Sequence, residues 1–205
     1  MKVVVVGASG TMGSLVCNQL GERGVHVVEA YRGNGVDAQT GAGLAAATAG
    51  ADVVVDCLNN LTQSASKAKR FFGTTARNIA EAARVAGARV VCLSISNATD
   101  PAVNRRMGYY QGKAEQERVY REILDDQVTF VRTTQWFELA DTMTDQLSLG
   151  PIAVLPHMFT APLAASDGAA VIADVALGTA HQGKTAVEVR SEERRVGKEC
   201  LRLCR

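Results

Sequence analysis

The chain has 205 residues, a formal net charge of +1, 47% hydrophobic residues and 21% charged residues, which is typical of an ordinary globular domain. No run approaches the roughly 18 uncharged apolar residues of a membrane span. No basic stripe of the kind that binds nucleic acid is present either, so neither a membrane nor nucleic acid is an expected partner. Because the N-terminal methionine leads straight into an apolar strand pattern, without room for a signal peptide, we expect a cytoplasmic protein.

Cysteine and histidine spacing indicates neither disulfides nor a metal site. The five cysteines contain no C-x-x-C pair, and the three histidines are scattered without ligand spacing. Three cysteines lie in apolar strand or helix patterns and are expected to be buried, reduced thiols: Cys17, Cys57 and Cys92.

The first stretch of the chain predicts a phosphate-binding strand, turn and helix. Lys2–Val6 contains four valines, and a run that is apolar on both faces is typical of a strand between two helical layers. Gly7 permits a sharp turn, Gly10 lets the backbone approach a pyrophosphate, and Gly13 lets the following helix pack close to the strand. The helix N-terminus would face the phosphates. A purely structural glycine turn is the alternative. The predicted contacts to the cofactor in this stretch are Gly7, Ser9, Gly10, Thr11, Met12 and Gly13.

The next strand pattern, Val25–Tyr31, ends at Arg32. In a dinucleotide-binding fold this position lies beside the adenosine ribose. The planar guanidinium suits a 2′-phosphate, so the sequence favours NADP, with NAD as the other possibility. An acidic residue at this position would favour NAD, because it accepts hydrogen bonds from the ribose 2′-hydroxyl. Glu29 is the acidic candidate, but it lies three positions before the end of the strand. A solvated loop charge is the alternative interpretation of Arg32.

The following elements alternate between helix and strand. We expect a short helix over 42–49, a strand over 51–56, a helix over 64–86 that Gly73 can break, and a strand over 88–93. This order predicts a doubly wound parallel sheet, a Rossmann-like α/β fold. Leu58 follows the third strand at the edge where ligands collect, and its backbone is expected to contact the cofactor. Asp56 is expected to be a turn or cap residue.

Tyr109 and Lys113 are the catalytic candidates. They open a helix predicted to reach Leu124, and because they are four residues apart they share one face. An ammonium near a phenol favours the phenolate and would lower the tyrosine pKa toward neutrality. Ser94 or Ser96, at the end of the fourth strand, would polarise a substrate carbonyl. An exposed tyrosine with a solvated lysine is the alternative, since Y-x-x-x-K is common by chance.

Together these features resemble the short-chain dehydrogenase/reductase superfamily, and more closely its NmrA-like NAD(P)-binding branch. The resemblance covers about residues 1–189. It rests on the stretches Gly7–Gly13, Arg32, Gly35–Asp37, Ser94, Tyr109–Lys113 with Ala114 and Glu117, and Val131–Phe137. It implies that Tyr109 is the proton donor, that Lys113 activates it and touches the nicotinamide ribose, and that Asp37 lies near the adenine. It favours Ser94 over Ser96 as the third catalytic residue.

The rest of the chain completes the predicted domain, 1–189, with a substrate-side segment over about 133–180. We expect a strand over 127–132, a helix to Leu149, a short strand over 152–155, a helix over 167–177 capped by Asp167, and a last strand over 184–189. Trp136 and Phe137 are either a substrate wall or core. Residues 190–205 change in character and are predicted to be a non-native tail; a basic arm that binds nucleic acid is the alternative.

Three functions follow from this sequence. The first is an NAD(P)-dependent oxidoreductase that transfers a hydride between nicotinamide and a small carbonyl or enone. The second is a non-catalytic NADP(H) sensor that regulates a protein partner, since the resembling branch contains such members. The third is an epimerase or dehydratase that uses the cofactor transiently.

Overall fold

The computed structural model describes residues 1–105, 107–137, 148–149, 152–153 and 162–190. Its strands are β1 (Lys2–Val6), β2 (His26–Ala30), β3 (Val53–Asp56), β4 (Arg89–Ile95), β5 (Val128–Thr133), β6 (Ser148–Leu149), β7 (Ile152–Ala153) and β8 (Ala186–Val189). Its helices are α1 (Thr11–Glu22), α2 (Leu44–Thr48), α3 (Ala65–Ala86), α4 (Pro101–Asn104), α5 (Gly108–Leu124) and α6 (Ala165–Leu177). None of these helices is both long and apolar enough to cross a membrane.

Six strands form one parallel sheet in the order β2-β1-β3-β4-β5-β8. The chain moves outward from β1 to β2 and then returns to the other side of β1 at β3. Ligands of doubly wound sheets bind where the strand order reverses in this way, outside the carboxyl ends of the strands. The predicted Rossmann-like α/β fold is confirmed. Strands β6 and β7 form a separate antiparallel pair.

The valine run of β1 is buried because the sheet has a helical layer on each face. Val3 and Val5 belong to the cluster that contains side chains of α1 and α6. Val4 and Val6 belong to the cluster on the other face, with side chains of α3 and α5. All four are at most 2% exposed. Alternation across the strand therefore places every second valine against a different layer. The three cysteines of the predicted buried set are buried and free.

The fourth strand is longer than predicted. It continues to Ile95, and Ser94 lies within it, paired with Arg132 of β5. The extension follows from β5, which supplies a neighbour up to Thr133. Ser94 is therefore part of the strand, one residue before its end.

Helix α3 is continuous through Gly73, so the predicted break is wrong. The glycines between α3 and α5 serve close packing instead. A Cβ added at Gly73 would lie 3.2 Å from Cγ of Glu115, and one added at Gly112 would lie 2.6 Å from Cδ2 of Phe72. These helices approach so closely because neither glycine has a side chain at the contact.

Two predictions near the C-terminus are wrong. Asp167 does not cap α6: Ala164 is the N-cap, no side chain caps the helix, and Asp167 lies in its first turn. Its negative charge there interacts favourably with the positive N-terminal end of the helix dipole. Ser148–Leu149 is a strand and not the end of a helix. The predictions over 138–147, 154–161 and 191–205 lie outside the described residues.

Helix α6 belongs to the segment expected on the substrate side. It packs against α1 and the sheet, and Arg23 forms an ion pair with Asp174 of α6 at 2.8 Å. The helix thus forms part of the core layer. The boundaries of the domain and of the substrate-side segment stay predictions.

Candidate functional site

Two adjoining cavities open at the carboxyl edge of the sheet. One of about 300 Å³ lies against the turn between β1 and α1, and we call it the glycine-turn cavity. The other, of about 220 Å³, lies against the start of α5 and the segment after β5, and we call it the tyrosine cavity. Leu58, Asn59 and Trp136 line both. The two cavities therefore lie side by side with a shared wall.

The glycine turn leaves hydrogen-bond donors of α1 available at the larger cavity. Gly7 has φ +84°, which favours glycine, and a Cβ at Gly13 would lie 2.1 Å from the carbonyl oxygen of Gly7. Gly10 is the N-cap of α1, and no side chain caps this helix. The first-turn N–H groups, which include those of Thr11 and Met12, have no acceptor within the helix. An anionic phosphate fits this end of the helix.

Most of the predicted cofactor-binding residues meet at the glycine-turn cavity. The residues that line it are Gly7, Ser9, Gly10, Thr11, Met12, Arg32, Asp37 and Leu58. Gly13 lies beneath the turn, where it permits the close approach of α1 and β1. Lys113 lines the tyrosine cavity.

Arg32 is exposed at the end of the glycine-turn cavity nearest β2. Within the described ranges no side chain or backbone group bonds to its guanidinium, which leaves the fork available for an anionic ligand. Asp37 is partly turned to the backbone, since its Oδ1 accepts a hydrogen bond from the Gln39 N–H at 2.8 Å. Glu29 is exposed and does not line the cavity.

Tyr109 is half-buried on the wall of the tyrosine cavity. Its ring makes edge contacts with Phe72 and Tyr110, at centroid distances of 5.8 and 6.1 Å. No group in the described part of the chain hydrogen-bonds to its hydroxyl. Burial, with a smaller effect of Tyr110, raises the pKa of Tyr109 above its ordinary value. The predicted lowering of the Tyr109 pKa by Lys113 is wrong, because burial and Tyr110 both raise this pKa and Lys113 is not among the groups that shift it.

The Lys113 ammonium is buried and makes three hydrogen bonds. It donates to the carbonyl oxygen of Leu93 and to Oε1 of Gln116, both at 3.0 Å, and more weakly to the carbonyl oxygen of Leu58 at 3.4 Å. It also stands 4.5 Å from the centroid of the Phe72 ring. Burial lowers the pKa of Lys113. Lys113 is thus held in place on the wall of the tyrosine cavity, beside Leu58, which lines both cavities.

Ser94 lines the tyrosine cavity, but its hydroxyl is engaged elsewhere. It donates to Oε1 of Glu117 at 2.7 Å, and Glu117 also accepts hydrogen bonds from Arg132 at 2.8 and 2.6 Å. Ser96 donates to a carboxylate oxygen of Glu188 at 2.9 Å. In this state neither serine presents its proton to a ligand.

The two aromatic residues after β5 differ in role. Trp136 lines both cavities, and its Nε1–H donates to Oγ1 of Thr133 at 3.1 Å. Phe137 is 48% exposed and lines neither cavity. Trp136 therefore forms a wall of the site, and Phe137 belongs neither to that wall nor to the core.

Sequence reasoning missed a buried polar group behind Lys113. Gln116 and Tyr120 lie on α5, and both donate hydrogen bonds to Oδ2 of Asp56, at 2.7 and 2.8 Å. Asp56 also accepts a hydrogen bond from the N–H of Leu58 at 2.9 Å, which confirms its predicted role in the turn. Its additional role as the acceptor for Gln116 and Tyr120 was not predicted. The signal was available: polar residues at positions 113, 116 and 120 repeat on the face of α5 that packs on the sheet.

The description of the family that matches this sequence is "NAD dependent epimerase/dehydratase family". The match covers residues 3–120, which is more than half of the chain. The chain belongs to this family. The matched range includes the glycine turn and the part of α5 from its start to Tyr120, which contains Tyr109 and Lys113. The family is of the short-chain dehydrogenase/reductase type, so the resemblance at the superfamily level is confirmed.

Solved structures of epimerases and reductases resemble the fold of this family member. MoeE5 in complex with UDP-glucose and NAD has a TM-score of 0.75 at 16% identity, over 93% of this chain and 76% of that one. A UDP-N-acetylglucosamine 4-epimerase from Bacillus cereus has a TM-score of 0.71 at 15% identity, over 94% and 78%. A dTDP-4-dehydrorhamnose reductase from Clostridium acetobutylicum has a TM-score of 0.69 at 17% identity, over 100% and 80%. The comparison with curated proteins gives no match.

No three His, Cys, Asp or Glu side chains in the described ranges are grouped in a way that could hold a metal ion. The groups that can bind a charged cofactor are instead the helix N-terminus, Arg32 and Lys113.

Proposed function

We propose that this epimerase/dehydratase family member binds NADP(H), or NAD(H), across the two adjoining cavities and is an oxidoreductase acting on a small carbonyl or enone. The main support is that the uncapped N-terminus of α1 and the Tyr109–Lys113 pair lie at two cavities that share three wall residues. A dinucleotide has its phosphates in the middle and its reactive ring at one end, and this arrangement provides a place for both.

Arg32 supports NADP over NAD. Its guanidinium is exposed on the cavity wall near the end of β2, where the ribose 2′ position lies in dinucleotide-binding folds. The described groups around it leave the fork available for a bidentate contact to a phosphate. Asp37 and Leu58 would complete the adenosine side.

Tyr109 would exchange a proton with the substrate oxygen. A bound nicotinamide supplies or accepts the hydride. Since burial raises the pKa of Tyr109, its hydroxyl is protonated at neutral pH and acts as the donor when a carbonyl is reduced. Lys113 would place a positive charge beside the reacting groups and give one N–H to a ribose hydroxyl. Ser94 reaches a substrate oxygen only after its hydroxyl leaves Glu117.

An epimerase or dehydratase is the second candidate, and the family match favours it. Such an enzyme would use the same cofactor transiently and return it to its initial oxidation state. We retain the NmrA-like branch, a cytoplasmic location and a single domain over 1–189 as proposals. The sensor hypothesis makes the same cofactor prediction without turnover.

Titration calorimetry with NADPH and NADH, followed by an assay of NADPH oxidation with a panel of carbonyls, tests this function. We expect binding of NADPH and consumption of NADPH with at least one substrate class, and loss of consumption but not of binding in Tyr109→Phe. Tight binding without turnover across the panel would support the sensor. The absence of binding of either dinucleotide to folded protein at millimolar concentration would refute the proposal.

Arg32→Ala tests the cofactor preference separately. We expect NADPH to bind about tenfold or more weakly and NADH to bind as before, because only the 2′-phosphate contact is lost. Arg84→Ala, an arginine in the last turn of α3, is the matched control for a general loss of positive charge. An equal loss for both dinucleotides would show that Arg32 does not read the 2′ position.

A further inference from the structure

Behind Lys113 a chain of three buried side chains links β3 to α5. Asp56 and Gln116 are both fully buried, and Lys113 is 2% exposed. Gln116 donates its Nε2–H to Oδ2 of Asp56 at 2.7 Å and accepts the Lys113 ammonium at Oε1 at 3.0 Å. We call this chain the Asp56 relay.

The orientation of the relay is fixed by the chemistry of its members. A carboxylate only accepts hydrogen bonds and an ammonium only donates them, so the Gln116 amide between them has one possible orientation. The Asp56 carboxylate cannot rotate either, because Tyr120 donates to the same Oδ2 at 2.8 Å and the N–H of Leu58 donates to Oδ1 at 2.9 Å.

The relay also determines which N–H of Lys113 can reach a ligand. One N–H goes to Gln116 and one to the carbonyl oxygen of Leu93, both at 3.0 Å. The third goes to the carbonyl oxygen of Leu58 at 3.4 Å, which is the longest of the three and the easiest to replace. Lys113 lines the tyrosine cavity and Leu58 lines both cavities, so this N–H lies beside a residue that the two cavities share.

We propose that Asp56 and Gln116 are positioning residues, which hold the Lys113 ammonium so that its third N–H is available to a hydroxyl of the ligand. Through Leu58, Asp56 ties the same ammonium to the loop on the cofactor side. This inference rests on the proposed function for the identity of the ligand, but the arrangement of the relay does not.

The charges around Lys113 come from several elements. Asp56 faces it from β3 and Glu117 from its own helix, the thiol of Cys92 lies on β4, and the thiol of Cys57 directly follows β3. Burial lowers the pKa of Lys113, and these groups act against that effect. Asp56 thus favours the charged form as well as fixing its position.

The experiment is NMR of the full chain labelled with ¹³C and ¹⁵N in lysine, without dinucleotide. The Lys113 signal is identified by its loss in Lys113→Met. In the wild-type protein we expect distinct chemical shifts for the two hydrogens on Cε of Lys113. A side chain held in one conformation places these two hydrogens in different surroundings. In Gln116→Leu the two Hε shifts should merge, and in Asp56→Asn the pKa of Lys113 should fall by about 1.

Tyr120→Phe is the matched control, since it removes a different hydrogen bond to the same buried carboxylate. It should change the Hε shifts and the pKa of Lys113 much less than Gln116→Leu and Asp56→Asn do, because Gln116 and the N–H of Leu58 still hold the carboxylate. An equal effect of Tyr120→Phe, or no effect of Gln116→Leu, would overturn the proposal. Far-UV circular dichroism establishes that each variant is folded, and if Asp56→Asn is not, Gln116→Leu alone decides.

Calorimetric titration of the same variants separates this inference from the proposed function. Gln116→Leu should bind NADPH more weakly than Tyr120→Phe does. If the wild-type protein binds no dinucleotide, the proposed function fails, whereas the NMR result still decides whether the relay holds Lys113.

Discussion

The Ser94 hydroxyl donates a hydrogen bond of 2.7 Å to Oε1 of Glu117, in a place where both side chains are buried. A serine has one proton to donate. While it is donated to Glu117, Ser94 helps to stabilise a buried carboxylate and does not polarise a substrate. The same carboxylate is bound by Arg132 from β5 and by Arg121 from the next turn of α5.

Ser94→Ala separates the two roles of this serine. Because the hydroxyl serves Glu117, we expect a loss of about 1–3 kcal/mol in the free energy of unfolding and at most a few-fold change in turnover. Urea denaturation and the NADPH oxidation assay measure these effects. A fall in turnover of about 100-fold or more would show that Ser94 turns to the substrate oxygen during the reaction. Ser96→Ala is the control on the same strand end.

The raised pKa of Tyr109 predicts a direction for the pH dependence of turnover. A phenol whose pKa lies above its ordinary value stays protonated through the neutral range, so carbonyl reduction should be level between about pH 6 and 9. Oxidation in the reverse direction needs the phenolate and should become faster as pH rises. Tyr109→Phe should lower both rates by about 100-fold or more, whereas Tyr110→Phe should affect them less. A rate of carbonyl reduction that already falls as the pH is raised toward 8 would contradict the assignment of Tyr109 as the proton donor.

The close packing of α3 on α5 predicts that Gly112→Ala is destabilising. The new methyl group would lie 2.6 Å from Cδ2 of Phe72 and 2.7 Å from Cβ of Ala68, so the helices must move apart. We expect a loss of about 1–3 kcal/mol in the free energy of unfolding and weaker dinucleotide binding, because Lys113 is the next residue. Gly21→Ala in α1, where nothing lies within 4 Å, is the control and should stabilise the protein by about 0.5 kcal/mol.

The lowered pKa of Glu117 predicts that the folded protein loses stability in acid. Burial opposes ionisation of Glu117, but hydrogen bonds from Arg132 and Ser94 outweigh it and hold its pKa below the ordinary value of 4.5. Since the unfolded chain then takes up the proton first, the stabilisation is complete above about pH 4.5 and is lost as the pH falls through the folded value.

Glu117→Gln measures that contribution. At neutral pH it should lower the free energy of unfolding by about 3 kcal/mol, because the buried carboxylate is lost as the partner of the partly buried Arg132 and the exposed Arg121. The difference from the wild-type protein should shrink as the pH falls below about 4.5. Glu122→Gln, which breaks an exposed ion pair with Arg118, should leave the free energy of unfolding nearly unchanged at neutral pH, because solvent screens that pair. A constant difference for Glu117→Gln down to acid pH would refute the prediction.

The sequence by itself determined the elements whose signals are local. The valines of β1, the glycines of the following turn and the helical period of α5 each act over a few residues. Strand, turn and helix could therefore be predicted, and with them the edge of the sheet where Arg32, Leu58 and Tyr109 collect. The wrong predictions concern features that neighbours decide: the break at Gly73 and the cap at Asp167 depend on what packs against each helix.

Only the tertiary structure decided how the polar side chains pair. Asp56 and Gln116 are 60 residues apart, and Ser94 and Glu117 are 23 apart. These pairs form because α5 packs on the sheet in one particular position relative to β3 and β4. No local sequence pattern encodes that position. The pKa of Tyr109 followed the same rule: spacing placed Lys113 one turn away, but the extent of burial, which depends on the whole fold, determined the direction of the change.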